Sequence, residues 1–193
     1  HLAAEHASEL QYYQRVQRYA GFLERLSATI SELIQEGVDP VALTSMPNDL
    51  VSPSDPRSVE KFHDLQILYA AYLKFLGDKL LDPSQNLQLA RACIARCAWI
   101  HGAELWMDGF ASLSGEETAT LLELAHHARH IEIAVLLDPC YVRHTSSPSA
   151  ARSLYARTAR TFSELSELFR GSGLTIEDPL TLNPKNPPRF VSN

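Results

Sequence analysis

From Ala103 to Leu182 short apolar runs alternate with helix-length stretches, and that alternation restricts the fold more than any other feature of the chain. Leu105 to Phe110 is an apolar run bounded by Gly102 and Gly109, which suits a buried strand. Ser114 stands three residues before Glu117, the spacing of a capping box, and predicts a helix from there to about His130. Ile131-Glu132-Ile133-Ala134-Val135-Leu136-Leu137 is the strongest strand candidate. A loop from Asp138 to Pro148 follows, then a helix from about Ser149 to Arg170 that closes on Gly171 and Gly173. Leu174 to Leu182 reads as a third, weaker strand. Strand, helix, strand, helix, strand in this order is the pattern of a parallel sheet joined by right-handed crossovers. Three strands make half of a doubly wound sheet, whose two faces both need covering.

The preceding residues read as helices. From Leu10 the apolar positions Tyr13, Val16, Tyr19, Phe22, Leu23, Leu26, Ile30, Leu33 and Ile34 step by three and four until Gly37 ends the stripe. Asp39-Pro40 starts a turn or one-turn helix, and the proline- and serine-rich residues 44–58 read as a loop. Asp55-Pro56 supplies an N-cap with proline at the first helical position, opening a helix from about 56 to 77. Asp82-Pro83 repeats that opening and leads a helix to about Ala98. The expected fold class is therefore α/β, with a helical domain over 1–98 and a partial parallel-sheet core over 99–193.

Composition narrows the function classes. No apolar run reaches the roughly 18 residues that span a bilayer, so no membrane role is expected. A net charge of −6 speaks against a surface that binds nucleic acid throughout, and leaves room for a local basic groove. Three cysteines, Cys93, Cys97 and Cys140, are a poor disulfide framework and point to a reducing cytoplasm. Cys93 and Cys97 read as small buried hydrophobes, because a metal site would need further ligands at short spacing. The first residue is His1 and the chain closes on Arg189-Phe190-Val191-Ser192-Asn193, so it reads as a piece of something longer.

Asp108 is the residue most suggestive of chemistry. An apolar strand ending in an acid is how P-loop ATPases present their Walker B aspartate, because ligands bind beyond the carboxyl ends of parallel strands. In an active motor a glutamate follows that aspartate and helps activate water; here Gly109 takes its place. The phosphate-cradling GxxxxGK[ST] loop does not occur in the 193 residues. A nucleotide hydrolase built on Asp108 alone would thus lack both parts. Asp138-Pro139 closes the second strand on the same sheet edge, and Arg143 and His144 stand in the loop after it. Arg152, Arg157 and Arg160 form the densest basic cluster, a candidate for DNA contact. Arg15, Arg18, Arg25, Arg91 and Arg96 read as solvated faces, with Glu24 and Glu32 nearby. His126 and His130 share one helical face at i, i+4 and lack a third metal ligand, so they read as a solvated or C-capping pair.

Several segments together resemble the B-type subunits of the bacterial AddAB-type ATP-dependent helicase–nucleases. They are Ala20-Gly21-Phe22-Leu23, Ile30-Ser31-Glu32-Leu33, Lys61-Phe62-His63-Asp64-Leu65-Gln66-Ile67-Leu68-Tyr69, Leu80-Leu81-Asp82-Pro83, Ala103-Glu104-Leu105-Trp106-Met107-Asp108-Gly109-Phe110 and Arg189-Phe190. The resemblance implies a superfamily 1 helicase-like fold, with 1–98 as the helical 1B-type insertion and 99–193 as part of the RecA-like 1A core. It implies a non-catalytic role in guiding or scanning DNA during double-strand break end processing. DNA and a helicase–nuclease partner subunit would be the partners. Asp108 would be the Walker B-equivalent, Gly109 the lost glutamate, and Asp138–Ser147 the region where helicases contact DNA. No cofactor is expected in this fragment; ATP and Mg would belong to the parent protein. The competing reading is a stand-alone protein-interaction module with no nucleic-acid role.

Overall fold

The computed structural model describes residues 2–44, 57–77, 80–138, 141 and 154–182. It is a mostly helical α/β structure that divides into two compact units, His1–Cys97 with Ser114–Leu124, and Ala98–Leu113 with Ala125–Asn193.

In the first unit a short helix α1 (Leu2–Glu5) leads into turns, and the first long helix, α2 (Ala20–Gln35), starts only after Tyr19. The continuous helix expected from Leu10 is therefore broken. Between Leu10 and Tyr19 the chain makes bends and turns, one of them closed by the Gln17 N–H on the Tyr13 carbonyl at 3.0 Å. The reason is packing: the rings of Tyr13 and Phe22 meet with centroids 4.9 Å apart. Nine residues of straight helix would separate them by roughly 13 Å. Tyr19 instead takes an extended conformation, folding the turn back onto the helix that follows.

Pro40–Thr44 form the expected one-turn helix, of the 3-10 type, with the Asp39 carboxylate accepting the Val41 N–H at 2.7 Å. The central helix α3 spans Ser58–Leu76; its proposed Asp55-Pro56 opening lies outside the described residues, and Arg57 occupies the N-cap position. Leu65 and Tyr69 of α3 pack with Ile30, Ile34 and Leu43, while Leu68 packs with Ala3 and Leu10. Each such side chain contributes roughly 1.5–3 kcal/mol by leaving water. Tyr69 also donates its hydroxyl to the Val38 carbonyl at 3.0 Å, satisfying the polar end of a buried ring. Asp82 caps as the sequence indicates, accepting the Ser84 N–H at 2.8 Å in a full capping box with Gln85. The 3-10 turn Pro83–Gln85 passes directly into α4 (Asn86–Ile94), which stops four residues short of Ala98.

In the second unit β1 (Glu104–Met107) and β2 (His130–Ile133) pair in parallel, in the register Glu104 with His130 and Met107 with Ile133. The parallel arrangement matches the expectation; the strands are shorter, and β1 is only half covered, its residues alternating between exposed and partly buried. Helix α5 (Gly115–His127) follows β1 in the chain, its residues up to Leu124 belonging to the first unit, and its capping box is present: Ser114 N–H to Glu117 Oε2 at 2.7 Å and Glu117 N–H to Ser114 Oγ at 3.3 Å. Because α5 ends at His127 and His130 opens β2, His126 and His130 do not share a helical face. Helix α6 (Ala156–Gly171) buries Thr158, Ala159, Thr161 and Leu165. The third strand does not form. After α6, Gly173 adopts φ +77 and the Leu174 N–H returns to the Phe169 carbonyl at 3.1 Å, which turns the chain away. Beyond it Pro179 offers no N–H for a ladder, and Leu180 and Leu182 stay exposed. Among the described residues the sheet has two strands.

Candidate functional site

The parallel pair brings the carboxyl ends of β1 and β2 to one edge, the edge where such sheets bind ligands. Asp108 is the first residue past β1 and is exposed. Gly109 follows with φ +78, a backbone conformation that side chains other than glycine's rarely adopt, although nothing lies within 4 Å of where a Cβ would sit. Backbone geometry, not crowding, thus favours glycine immediately after the acid. Phe110 is half-buried, and the chain then runs to the α5 cap at Ser114. Asp138, five residues past the end of β2, is exposed and accepts the Tyr141 N–H on its carbonyl at 3.0 Å.

The outward face of the two strands carries Glu104, Trp106, His130 and Glu132. Trp106 is 67% exposed, yet its Nε1–H donates to Glu132 Oε2 across the strands at 3.0 Å, so the ring is held. Arg129 stands 3.5 Å from Glu104.

Of the basic candidates, Arg157 and Arg160 are exposed on α6, and Arg160 donates to Glu164 at 2.9 Å one turn later. That pair offsets part of the positive charge expected there. Arg143, His144 and Arg152 lie outside the described residues. The cysteines need a correction: Cys93 is exposed and Cys97 half-exposed, not buried. Helix α4 buries only Ile94, which leaves Cys93 facing outward beside Arg96, Sγ to Nη2 at 3.7 Å. Cys140 lies outside the described residues. Among the described residues no three His, Cys, Asp or Glu side chains are grouped to hold a metal ion. Among them, too, no helix is long and apolar enough to cross a membrane.

Sequence reasoning passed over an open hollow lined by Ala7, Ser8, Gln14, Arg15, Gln17 and Arg18. Gln14, Arg15, Gln17 and Arg18 stand three and four apart, a spacing that would group them on one face even of a continuous helix.

A parallel strand pair with an exposed acid just past its first strand, in a chain that is otherwise mostly helical, defines an α/β protein of the parallel-sheet class. The family model described as "ADDB, N-terminal" matches residues 1–193, and the chain belongs to that family. It is similar to the B-type subunit of the ATP-dependent helicase/deoxyribonuclease of Desulforudis audaxviator, 31% identical over 100% of this chain and 16% of that protein. The proteins of the same name from Heliobacterium modesticaldum and Moorella thermoacetica are 30% and 28% identical, each over 98% of this chain and 16% of their own length. The chain therefore spans about one-sixth of the relatives it matches.

Proposed function

We propose that this chain is part of the helicase-like region of an ATP-dependent helicase–nuclease subunit, and that it guides or scans DNA without itself hydrolysing ATP. Residues 1–98 would be a helical 1B-like insertion and 99–193 part of a RecA-like 1A core. The observation that carries the reading is Gly109: at φ +78 it follows Asp108 where a hydrolytic motor needs a glutamate. The family match over the whole chain and the names of its relatives support the setting.

In this reading Asp108 is a degenerate Walker B-like position, and the basic residues Arg143, His144, Arg152, Arg157 and Arg160 contact the DNA backbone. The donor set does not fit ATP·Mg by itself, since one exposed carboxylate stands without a phosphate-cradling loop anywhere in the sequence. ATP and Mg are assigned to the rest of the parent protein. Its partners would be DNA and a second helicase–nuclease subunit, working in the cytoplasm on double-strand break ends during recombinational repair.

A salt titration of single-stranded DNA binding by the complete subunit tests this. Phosphate contacts release counterions, so affinity should fall steeply as salt rises. Failure to bind at low salt would leave the protein-interaction module as the better reading.

A further inference from the structure

The hollow at residues 7–18 has the chemistry of a phosphate site. Its lining is Ala7, Ser8, Gln14, Arg15, Gln17 and Arg18, and its volume is about 410 Å³, within the roughly 300–1,000 Å³ of ligand clefts. Among the described residues Arg15 and Arg18 have no carboxylate partner, as is also true of Arg25, Arg96, Arg157 and Arg170, but these two line one opening. The nearest acid in sequence to Ser8, Glu9, is engaged by His6 at 2.8 Å. Two exposed guanidiniums three residues apart thus keep their full charge and their hydrogen-bond donors beside one opening.

Gln17 supplies the independent observation. The residue is part of the hollow's lining and only 5% exposed, and its Oε1 is buried with no hydrogen-bond partner. A buried unpaired amide oxygen opposes folding, and such groups are few in native proteins. A ligand presenting a donor to the hollow would give that oxygen a partner once the amide turns about its terminal bond.

We propose that this hollow binds a nucleotide of a single DNA strand, with Arg15 and Arg18 on its phosphate and Gln17, Gln14 and Ser8 on its sugar or base edge. Guanidiniums suit phosphate because their planar forks meet two oxygens at once. Amides and a hydroxyl offer both donors and acceptors, which a base or sugar requires and a bare anion does not. The inference rests on the DNA-guiding reading and adds to it a specific contact in the helical unit.

The test uses the complete subunit with its partner and a fluorescently labelled oligothymidine, with inorganic phosphate and dTMP as competitors. Arg15→Ala with Arg18→Ala should weaken binding about tenfold at low salt and make the salt slope shallower by about 0.7, for one phosphate neutralised on a single strand. Arg25→Ala, an exposed arginine of α2 outside the hollow, should change neither. Gln17→Met should weaken binding while leaving residues 11–18 as well protected from hydrogen exchange as before, or better protected. If the assembly binds the oligomer and the double variant matches it in affinity and slope, the site is overturned while the DNA reading stands. If the unsubstituted assembly binds no single strand at all, the DNA reading itself fails. Inorganic phosphate competing as well as dTMP would make this an anion site only. A Gln17→Met variant that loses protection but not affinity would assign Gln17 to the core and remove it from the site.

Discussion

The carboxylate of Asp64, in the middle of α3, accepts the backbone N–H of Tyr13 at 2.8 Å, 51 residues away in sequence. It also takes the N–H groups of Gln11 and Tyr12, at 2.9 and 2.8 Å, and is fully buried. A buried carboxylate thus serves as the cap of a single turn that could not stand alone. Asp64→Ala would leave three part-buried amides without their acceptor, at a cost of up to about 1–3 kcal/mol each where water cannot reach them. The expected outcome is faster hydrogen exchange at residues 11–18 with α3 itself retained, and loss of the hollow's ligand affinity. Asp64→Asn, which keeps one acceptor oxygen, should lose less than Asp64→Ala.

Gly115 sits where α5 begins against the end of α2. Its N–H donates to Glu36 Oε2 at 2.9 Å, and an added Cβ would lie inside contact distance of the Glu36 backbone carbonyl. Glu116 beside it is buried and accepts Arg91 Nη2 at 3.0 and 3.2 Å. Gly115→Ala should therefore displace the start of α5, at a cost of about 2–3 kcal/mol, in the range of core overpacking. The midpoint of denaturant unfolding measures it. An unchanged midpoint would mean the junction gives way easily.

Tyr72 donates its hydroxyl to Asp82 Oδ2 at 2.5 Å. That hydrogen bond, with burial second, holds the Tyr72 hydroxyl up to about 12 from its usual 10.0, and the same bond lowers the Asp82 carboxyl. Raised in the folded state, Tyr72 contributes stability below pH 10 that is lost as pH climbs toward 12. Lowered in the folded state, Asp82 contributes stability above its usual 3.8 that is lost as pH falls further. Tyr72→Phe should flatten both limbs of the stability-against-pH curve. Equal slopes in the two proteins would show that the pair does not govern either limb.

The sequence made the capping residues legible because capping is local: Ser114, Glu117 and Asp82 each act within three residues of themselves. The parallel pairing was legible too, through the strand–helix–strand order around α5. Two expectations failed, one through distant contacts and one through local backbone chemistry. The break in the first helix depends on Tyr13 meeting Phe22 and on Asp64 reaching back from α3, neither of which a periodic apolar stripe records. The missing third strand has the apolar residues it needs, yet Gly173 turns the chain before it and Pro179 interrupts it. At the candidate site, Asp108 is singled out only by its place after an apolar run, which the structure shows as β1. The hollow is not legible because Arg15 and Arg18, at i, i+3, have the spacing of any solvated helix face, and no periodic pattern shows that Ala7 and Ser8 join them.

The most direct test is ATP turnover by the complete two-subunit assembly carrying Asp108→Ala. Asp108 is followed by a glycine at φ +78 in place of a water-activating glutamate, so hydrolysis should not pass through it. Gly109→Glu belongs in the same assay; it would strain the backbone by about 1–2 kcal/mol and should add no activity. The expected result is DNA-stimulated turnover within about twofold of the unsubstituted assembly, a change of less than roughly 0.5 kcal/mol in the barrier. A loss of a hundredfold or more on Asp108→Ala, with DNA binding intact, would make this edge a working ATPase centre and contradict the non-hydrolytic role.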